Sequence, residues 1–381
     1  HEVAAVVRAA GRREPRPGGE PAHAEPLSTP IVSGTAGVWT VTGDGWQAVL
    51  KVLQRDADAA GGHPHWRAGD EPDHWYYWRR EAEFFADADL RGAVERELHI
   101  PETYLVADRP DGTVALWMER VGGWASAGWP PDHYHRLARR VARLQGRLTG
   151  DRLPGRPWLG RRWLAAYQEI REDQGAILWD GGAWAHPALD GTGVRERAAE
   201  FRALWEARKE RLAEVEALPR TLCHFDLHPY NLFEDDGRLG AIDWAFTGHG
   251  GVGEDAATLV FDTVFDFHVR PDEADRLFAE VVDGYALGLA EVAAEAAAEA
   301  GPTGGSGEGG DVREQVRRAV LTTAAAKYAW TMPAVLHALR DGMPMLNGRA
   351  LGLSVPWWTQ ASLRLLDLVG TRGPAESDRR V

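Results

Sequence analysis

The chain has 381 residues, of which 44% are hydrophobic and 26% are charged, so its composition is globular and excludes wholesale disorder. Its formal net charge of −14 argues against a surface that neutralises nucleic-acid phosphates or binds an anionic membrane. The single cysteine, Cys223, excludes an intrachain disulfide. No apolar run approaches the roughly 20 residues of a membrane span, and no basic-then-apolar leader opens the sequence. We therefore expect a cytoplasmic protein with neither nucleic-acid nor membrane partners.

In chain order, residues 1–30 offer a candidate short helix followed by a Pro-, Gly- and Glu-rich stretch, and the segment as a whole predicts an irregular arm. β-Forming residues separated by small-residue turns then predict a strand-rich part with one helix, which ends at a hinge near residue 120. Its strands are expected at 31–41, interrupted by a turn at 33–37, and at 46–53, 101–106 and 114–118, and its helix at 74–90.

Helical periodicity dominates the remainder of the chain. Helices are expected at 131–148, 163–174, 194–218, 272–299, 311–339 and 359–369. The Gly-rich residues 301–310 predict a flexible connector, and residues 371–381 a C-terminal tail. The sequence thus predicts an α+β protein with a small β-rich part over 31–121 and a large, mostly helical part over 122–370.

The most specific string in the sequence is HFDLHPYN, which begins at His224 and is followed by the tripeptide IDW around Asp243. In phosphoryl transfer, an Asp accepts or orients the proton of the acceptor hydroxyl, while an Asn five residues later and a second Asp hold Mg²⁺. The spacing therefore predicts Asp226 as the catalytic residue and Asn231 and Asp243 as metal ligands. A loop with chance polar residues, the alternative, does not explain three roles in the expected order.

These motifs, HxDLHPxN followed by IDW, resemble those of the aminoglycoside phosphotransferase and choline kinase-like family of small-molecule kinases. The resemblance spans residues 31–270 and implies a two-lobe protein-kinase-like fold that binds ATP, or alternatively GTP, together with Mg²⁺. The sequence lacks the HRD and DFG motifs and the activation-segment ending of protein kinases. His224 and Asp255 are expected to hold the loop in place rather than to react.

The N-terminal part offers candidate nucleotide contacts in the order that the resemblance implies. The turn formed by Ser33, Gly34, Thr35 and Ala36 can present backbone N–H groups to phosphates, although an ordinary hairpin has the same sequence pattern. Lys51 lies in an apolar strand, where lysine is poorly tolerated unless it is paired. It resembles the strand lysine that contacts the α- and β-phosphates.

Helical geometry chooses the partner of that lysine. Glu81 shares a helix face with aromatic residues, whereas Glu83 shares the opposite, hydrated face with Arg79 and Arg80. A carboxylate on an apolar face is unfavourable without a cation nearby. We therefore expect the ion pair to join Lys51 and Glu81.

The junction around Met118 corresponds to the hinge that binds adenine through backbone groups in the resembled family. By position, Met118 would border the adenine pocket, the carbonyl of Glu119 would accept a hydrogen bond, and the N–H of Val121 would donate one. Backbone contacts need no particular side chain, so this expectation depends on register alone.

The acceptor is predicted from charge. Residues 224–266 contain nine acidic residues and one basic residue, an excess that can attract cations or can consist of solvated loop residues. We expect phosphoryl transfer to a hydroxyl of a small cationic molecule, such as an aminoglycoside or a basic peptide antibiotic, by a monomer or a homodimer. His228, Asp262 and Glu254 are the candidate acceptor contacts.

Two alternatives remain open at this point. The first is a choline, amino-sugar or other metabolite kinase, in which aromatic side chains could surround a quaternary amine, although core packing is their commoner use. The aromatic candidates are Trp244, Trp357 and Trp358. The second is a non-catalytic binding protein with a kinase-like fold, which the intact set of candidate catalytic residues disfavours.

Overall fold

A strand-rich N-terminal lobe and a larger helical C-terminal lobe make up the protein in a computed structural model, as the sequence predicts. The structure describes residues 2–10, 22–28, 33–55, 66–122, 124–125, 128–300 and 311–370. The predicted connector at 301–310 and tail at 371–381 lie outside these ranges. None of the described helices is long and apolar enough to cross a membrane.

The N-terminal lobe is built on a five-stranded antiparallel sheet with the strand order β1-β2-β3-β5-β4. Its strands are β1 (His23–Ser28), β2 (Thr35–Gly43), β3 (Trp46–Leu53), β4 (Thr103–Asp108) and β5 (Val114–Met118), and its helices are α1 (Glu2–Ala9), α2 (Arg80–Ala86) and α3 (Ala88–Glu95). Because β3 lies between β2 and β5, Lys51 sits opposite Val38 and Leu116, at the middle of the sheet.

The expectation of an irregular arm over residues 1–30 is wrong for β1, whereas the candidate short helix of that segment is present as α1. β1 pairs with β2 along most of its length and forms an edge of the sheet, a position that tolerates Pro26 because one side of an edge strand needs no N–H donors. α1 buries Val6 and Val7 in a cluster with Trp117. Strand pairing therefore attaches β1 to the lobe, and apolar burial attaches α1.

The helix expected at 74–90 is also corrected. Gly69 bonds the backbone on both sides of Tyr77, so residues 74–79 form turns and the first regular helix begins at Arg80. Asp87 then ends α2 and caps α3, accepting a hydrogen bond of 3.0 Å from the Leu90 N–H. Arg80, expected on the hydrated face, is fully buried.

The C-terminal lobe contains nine helices within the described ranges. They are α4 (Pro131–Arg147), α5 (Trp163–Glu169), α6 (Gly181–Trp184), α7 (Ala198–Glu216), α8 (Glu254–Phe265), α9 (Ala274–Ala300), α10 (Val312–Tyr328), α11 (Thr331–Arg340) and α12 (Leu351–Gly370). α4 and α9 pack closely because Gly284 lacks a side chain: a Cβ there would lie 2.2 Å from the His135 carbonyl oxygen.

Short strands precede and separate these helices, and those between α7 and α8 carry the loops of the site. They are β6 (Trp124–Ala125), β7 (Arg220–Cys223), β8 (Leu232–Asp235), β9 (Arg238–Ala241), β10 (Gly248–Gly251), β11 (Met345–Leu346) and β12 (Arg349–Ala350). β6, β8 and β9 form one small sheet, and β7 pairs with β10. The turn that the sequence predicts between β8 and β9 is present, with positive φ at Asp236 and Gly237.

Three predicted helices of this lobe differ from those in the structure. The helix expected at 163–174 ends at Glu169 and is followed by a 3-10 helix over Glu172–Trp179. The single helix expected at 311–339 is divided into α10 and α11, although Asp311 does cap it by accepting from the Arg313 N–H at 3.0 Å. The last helix begins at Leu351 and passes through Pro356, which reads in the sequence as a barrier to a helix.

Candidate active site

The loop that follows β7 has its backbone fixed by a buried carboxylate. Phe225 has a φ of 67°, a left-handed conformation that costs a non-glycine residue about 1–3 kcal/mol. Asp255, in the first turn of α8, accepts hydrogen bonds of 2.8 Å from the N–H groups of His224 and Phe225. Burial raises the pKa of Asp255 to about 6. Asp255 therefore has the structural role that the sequence predicts.

His224 is a second support of the loop. Its Nδ1 accepts from the Asp226 N–H at 3.2 Å, so Nε2 carries the proton and donates to the Ile242 carbonyl at 3.0 Å. Burial lowers the pKa of His224 to about 4, which keeps the ring neutral. This histidine connects Asp226 to the chain next to Asp243, and because its ring stays neutral it holds the loop rather than transferring a proton.

Asp226 and Asn231 are in direct contact. The Nδ2 of Asn231 donates to the backbone oxygen of Asp226 at 3.0 Å and to its Oδ2 at 2.8 Å. Burial raises the pKa of Asp226, yet 29% of its side chain stays exposed. The carboxylate is thus oriented by the protein and still open to an acceptor.

Lys51 joins the two lobes through two carboxylates. Its Nζ lies 2.6 Å from Oε2 of Glu81 and 3.0 Å from Oδ1 of Asp243, and both Lys51 and Glu81 are buried. Burial disfavours the charge on Lys51, but the two carboxylates outweigh that cost and raise its pKa. The predicted pair of Lys51 with Glu81 is present, whereas Glu83 bonds Arg79 at 2.9 Å near the surface.

Asn231 and Asp243 provide oxygen atoms that suit Mg²⁺. The Ile242 N–H donates to the Asn231 carbonyl at 2.9 Å, which places the two predicted ligands on adjacent chain segments. Because the amide nitrogen of Asn231 is bonded to Asp226, its side-chain oxygen is left to accept or to ligate. Mg²⁺ commonly takes one or two protein oxygens and completes its shell with water and phosphate. The donors present therefore fit this ion, and the described residues gather no larger cluster of His, Cys, Asp and Glu.

The predicted phosphate turn has two of its donors engaged within the protein. The Ser33 hydroxyl donates to the Trp66 carbonyl at 3.3 Å and accepts from the Ala68 N–H at 2.9 Å. The Gly34 N–H donates to the Tyr76 hydroxyl at 3.1 Å. Thr35 and Ala36 are more exposed than these two residues, so they remain as the predicted phosphate contacts of this turn.

The two backbone groups expected to bind adenine at the hinge are the Glu119 carbonyl and the Val121 N–H. Met118 is buried at the end of β5, and the Glu119 N–H donates to the Glu102 carbonyl at 2.8 Å. Within the described ranges, neither the Glu119 carbonyl nor the Val121 N–H has a backbone partner. The adenine contacts at this position stay a prediction.

His228 lies between two carboxylates beside the catalytic loop. Its Nε2 is 3.7 Å from Asp226 and its Nδ1 is 3.3 Å from Asp266. Burial opposes the charged ring, but these carboxylates raise the pKa of His228 to about 9. Sequence reasoning included His228 and missed Asp266. The available signal was helical spacing, because Asp266 lies four residues, about one helical turn, after the candidate Asp262.

Asp262 has a buried cation as its partner. Lys327, from α10, places its Nζ 3.1 Å from Asp262 and 2.9 Å from the Thr258 hydroxyl, and the Tyr328 hydroxyl donates to Asp262 at 2.7 Å. Lys327 is buried, and sequence reasoning did not assign it to the site. A lysine within an otherwise apolar helical stretch was the available signal.

Glu254 does not face the acceptor side. It is 4% exposed, and its Oε1 accepts a hydrogen bond of 2.5 Å from the Gly251 N–H at the start of its own helix. Burial raises the pKa of Glu254 to about 7. The expectation that Glu254 contacts the acceptor is wrong. Its side chain is buried beneath the loop and is bonded to the Gly251 backbone, although the residue is close to the motif in sequence.

The acidic excess of residues 224–266 does not form an open rim. Apart from Asp226 and Asp243, its members divide into three groups: Asp262 and Asp266 near the site, Glu254 and Asp255 buried beneath it, and Glu234, Asp235 and Asp236 on the β8–β9 hairpin. The two near the site have cationic partners, His228 and Lys327. Net sequence charge is therefore weak support for a cationic acceptor.

The aromatic side chains considered for an amine cage are used in packing. Trp244 stacks on Phe84 at 4.5 Å and is 1% exposed, and the Nε1 of Trp358 donates to the Phe265 carbonyl at 3.0 Å. Trp357 donates likewise to the Val264 carbonyl at 2.7 Å.

Two other aromatic groups enclose cations of the chain itself. Arg171 lies 3.7 Å from the ring centroid of Tyr167 and 4.5 Å from that of Trp330, and Lys327 lies 5.1 Å from that of Trp163. Their faces are already taken by protein charges, which leaves them unsuited to a quaternary amine ligand.

Glu254→Gln is expected to raise stability at high pH without changing catalysis. The folded-state pKa lies above the ordinary value, so Glu254 favours folding below the unfolded-state pKa and loses that contribution as pH rises through about 7. Glutamine keeps an oxygen for the Gly251 N–H and carries no charge. The variant should gain about 1–3 kcal/mol over wild type between pH 5 and pH 8. Denaturant unfolding of both proteins at pH 5 and at pH 8 measures the gain. If the variant and wild type differ by the same free energy of unfolding at the two pH values, Glu254 does not have the raised pKa described here.

The two-lobe arrangement, with a lysine–glutamate pair in the small lobe and an Asp–Asn–Asp set in the large lobe, defines a protein-kinase-like fold. A sequence model of the phosphotransferase enzyme family matches residues 29–295, and the chain belongs to that family. No curated protein matches the sequence.

Two solved structures show the same fold. An aminoglycoside phosphotransferase from Alicyclobacillus acidocaldarius aligns with a TM-score of 0.52 and 16% identity, covering 93% of this chain and 92% of that one. An amicoumacin kinase in complex with AMP-PNP, Ca²⁺ and its ligand aligns with a TM-score of 0.51 and 11% identity, covering 93% and 90%.

Proposed function

We propose that this protein transfers the γ-phosphoryl group of ATP to a hydroxyl of a small molecule. The observation that carries the proposal is the contact of Lys51 with both Glu81 and Asp243, because it joins a nucleotide-binding strand to the loop that follows the catalytic residues. Such an arrangement can orient phosphates, because the lysine is already held in place by two carboxylates. A non-catalytic binding protein would have no need for the oriented and accessible carboxylate of Asp226.

In the proposed reaction, the acceptor hydroxyl oxygen forms a bond to the γ-phosphorus while the bond from that phosphorus to the β,γ-bridging oxygen breaks. The hydroxyl proton passes to the carboxylate of Asp226, and ADP leaves. Asn231 fixes the Asp226 carboxylate, and Lys51 provides positive charge for the phosphates. Mg²⁺, when bound by Asn231 and Asp243, would neutralise charge that develops on the phosphate oxygens.

For the acceptor, we propose an amino-bearing polyol of the aminoglycoside or amicoumacin kind. The carboxylate of Asp226 stays partly exposed, and an ammonium group next to the reacting hydroxyl would be favourable beside it. The solved relatives by name act on such compounds. A choline-type acceptor is the second candidate, and the occupied aromatic groups around Arg171 and Lys327 disfavour it.

A turnover screen tests the proposal and ranks the acceptors. Wild-type protein with Mg²⁺ and ATP is combined separately with aminoglycosides, peptide antibiotics, amino sugars and choline, and ADP release is measured against a no-acceptor control. The proposal predicts acceptor-dependent release with amino-bearing polyols. Release with choline alone would contradict the acceptor class, and release with none of these compounds would contradict the proposed activity. Repetition with GTP determines the nucleotide preference.

A further inference from the structure

Arg80 occupies a fully buried position between the two lobes, one residue before the glutamate that holds Lys51. Its guanidinium donates to four backbone carbonyls: His74 at 2.6 Å, Trp75 at 2.9 Å, Trp158 at 2.7 Å and Ala245 at 3.3 Å. The side chain is 0% exposed, and no carboxylate pairs with it within the described ranges. Burying a cation without a carboxylate partner costs free energy, and the four hydrogen bonds offset part of that cost only while the segments that carry the carbonyls stay together.

The four acceptors of Arg80 belong to three segments that surround the site. His74 and Trp75 precede α2, Trp158 lies in the large lobe between α4 and α5, and Ala245 lies two residues after Asp243. The last two segments are joined to each other, because the Gly160 N–H donates to the Thr247 carbonyl at 3.2 Å. Arg80 thus connects the helix that carries Glu81 to the loop that carries Asp243.

A second contact acts in the same direction. Phe84, one turn after Arg80, stacks on Trp244 at 4.5 Å with an interplanar angle of 7°. Arg80 and Phe84 therefore hold one face of α2 against Ala245 and Trp244, the two residues that follow Asp243. In protein kinases, activation-loop phosphorylation and positioning of the equivalent helix control whether the lysine–glutamate pair is in place.

We propose that Arg80 is a positioning residue that fixes α2 to the Asp243 loop and so keeps Lys51, Glu81 and Asp243 assembled without an activation segment. The kinetic part of this inference rests on the proposed phosphotransfer, whereas the mechanical part does not. Lysine cannot reproduce the contact, because its ammonium has three donors on one nitrogen, whereas the guanidinium spreads five around a plane.

The test compares Arg80→Lys and Arg80→Met with the control Arg79→Met. Arg79 is the neighbouring cation, at the N-cap of the same helix, but its partners are the surface carboxylates Glu83 and Asp108. Hydrogen–deuterium exchange of the nucleotide-free protein is measured first, since it does not require catalysis. Amides of α2 should exchange at least about tenfold faster in both Arg80 variants, while amides of α8 and α9 keep the wild-type rate.

Kinetics with ATP and the best acceptor form the second readout. We expect kcat to fall about 100-fold in Arg80→Lys with KM for the acceptor within about twofold of wild type, and the Arg79→Met control to stay within about twofold in both constants. Unchanged exchange in α2, equal acceleration of exchange in both lobes, or failure of both Arg80 variants to fold would overturn the proposal. If wild type does not transfer phosphate, the proposed function fails, while the exchange experiment still decides whether Arg80 positions α2.

Discussion

Asp226→Asn should lower kcat for phosphoryl transfer about a thousandfold, with KM for ATP within about twofold of wild type. Asparagine cannot accept the hydroxyl proton, and its amide competes with that of Asn231, which now donates to the Asp226 carboxylate at 2.8 Å. Lys51 and Asp243 are untouched, so nucleotide binding should persist. Initial rates of ADP release over a range of ATP concentrations measure both constants.

Asp236→Asn is the matched control for that variant. Asp236 belongs to the same acidic segment but lies at the β8–β9 turn with a φ of 49°, a conformation that asparagine also tolerates. Its kinetics should equal those of wild type. Transfer by Asp226→Asn within about threefold of the wild-type rate would show that Asp226 is not the proton acceptor.

Lys51→Met is expected to damage both catalysis and stability. Loss of the ammonium removes the charge proposed to hold the phosphates, so kcat/KM for ATP should fall about 100- to 1,000-fold. It also leaves Glu81, which is 2% exposed, without its cation. Breaking a buried ion pair in this way costs about 3–5 kcal/mol. Denaturant unfolding and ADP release measure the two effects on one preparation.

The stability loss in Lys51→Met should depend on pH. Burial already raises the pKa of Glu81 to about 7 in the wild type, and removal of Lys51 raises it further. A folded-state pKa above the unfolded one favours folding at low pH, so the deficit should be larger at pH 8 than at pH 6. Lys209→Met is the control, because Lys209 is 65% exposed and pairs with Glu172 at the surface. Equal stability of the two variants at pH 8 would refute the buried role of Lys51.

The parts of the site that were predictable are those whose partners lie at fixed sequence spacings. The interval from Asp226 to Asn231 places both residues in one loop, and they are hydrogen bonded in the structure. The choice of Glu81 over Glu83 used helical periodicity. The structure has the ion pair of Lys51 with Glu81, although Glu81 is only the second residue of α2.

Other parts depend on distant packing that local sequence does not record. Glu254 is closer to the motif in sequence than Asp262, but the two lie toward opposite ends of α8, and only Asp262 reaches the site. Its partner Lys327 comes from α10, beyond the matched family region. Arg80 appeared to share a hydrated face with Arg79, because helical periodicity gives no indication of a second lobe packed against the start of the helix.

The central claim is most directly tested by following the γ-phosphoryl group itself. Wild-type protein is incubated with Mg²⁺, the best acceptor from the screen and ATP labelled with ³²P at the γ position. The products are then separated, the label is located, and the mass of the acceptor product is measured by mass spectrometry. The account predicts that the label moves to the acceptor, whose mass increases by one phosphoryl group, and that Asp226→Asn abolishes most of this transfer. Label released only as inorganic phosphate, or retained in ATP, would contradict it.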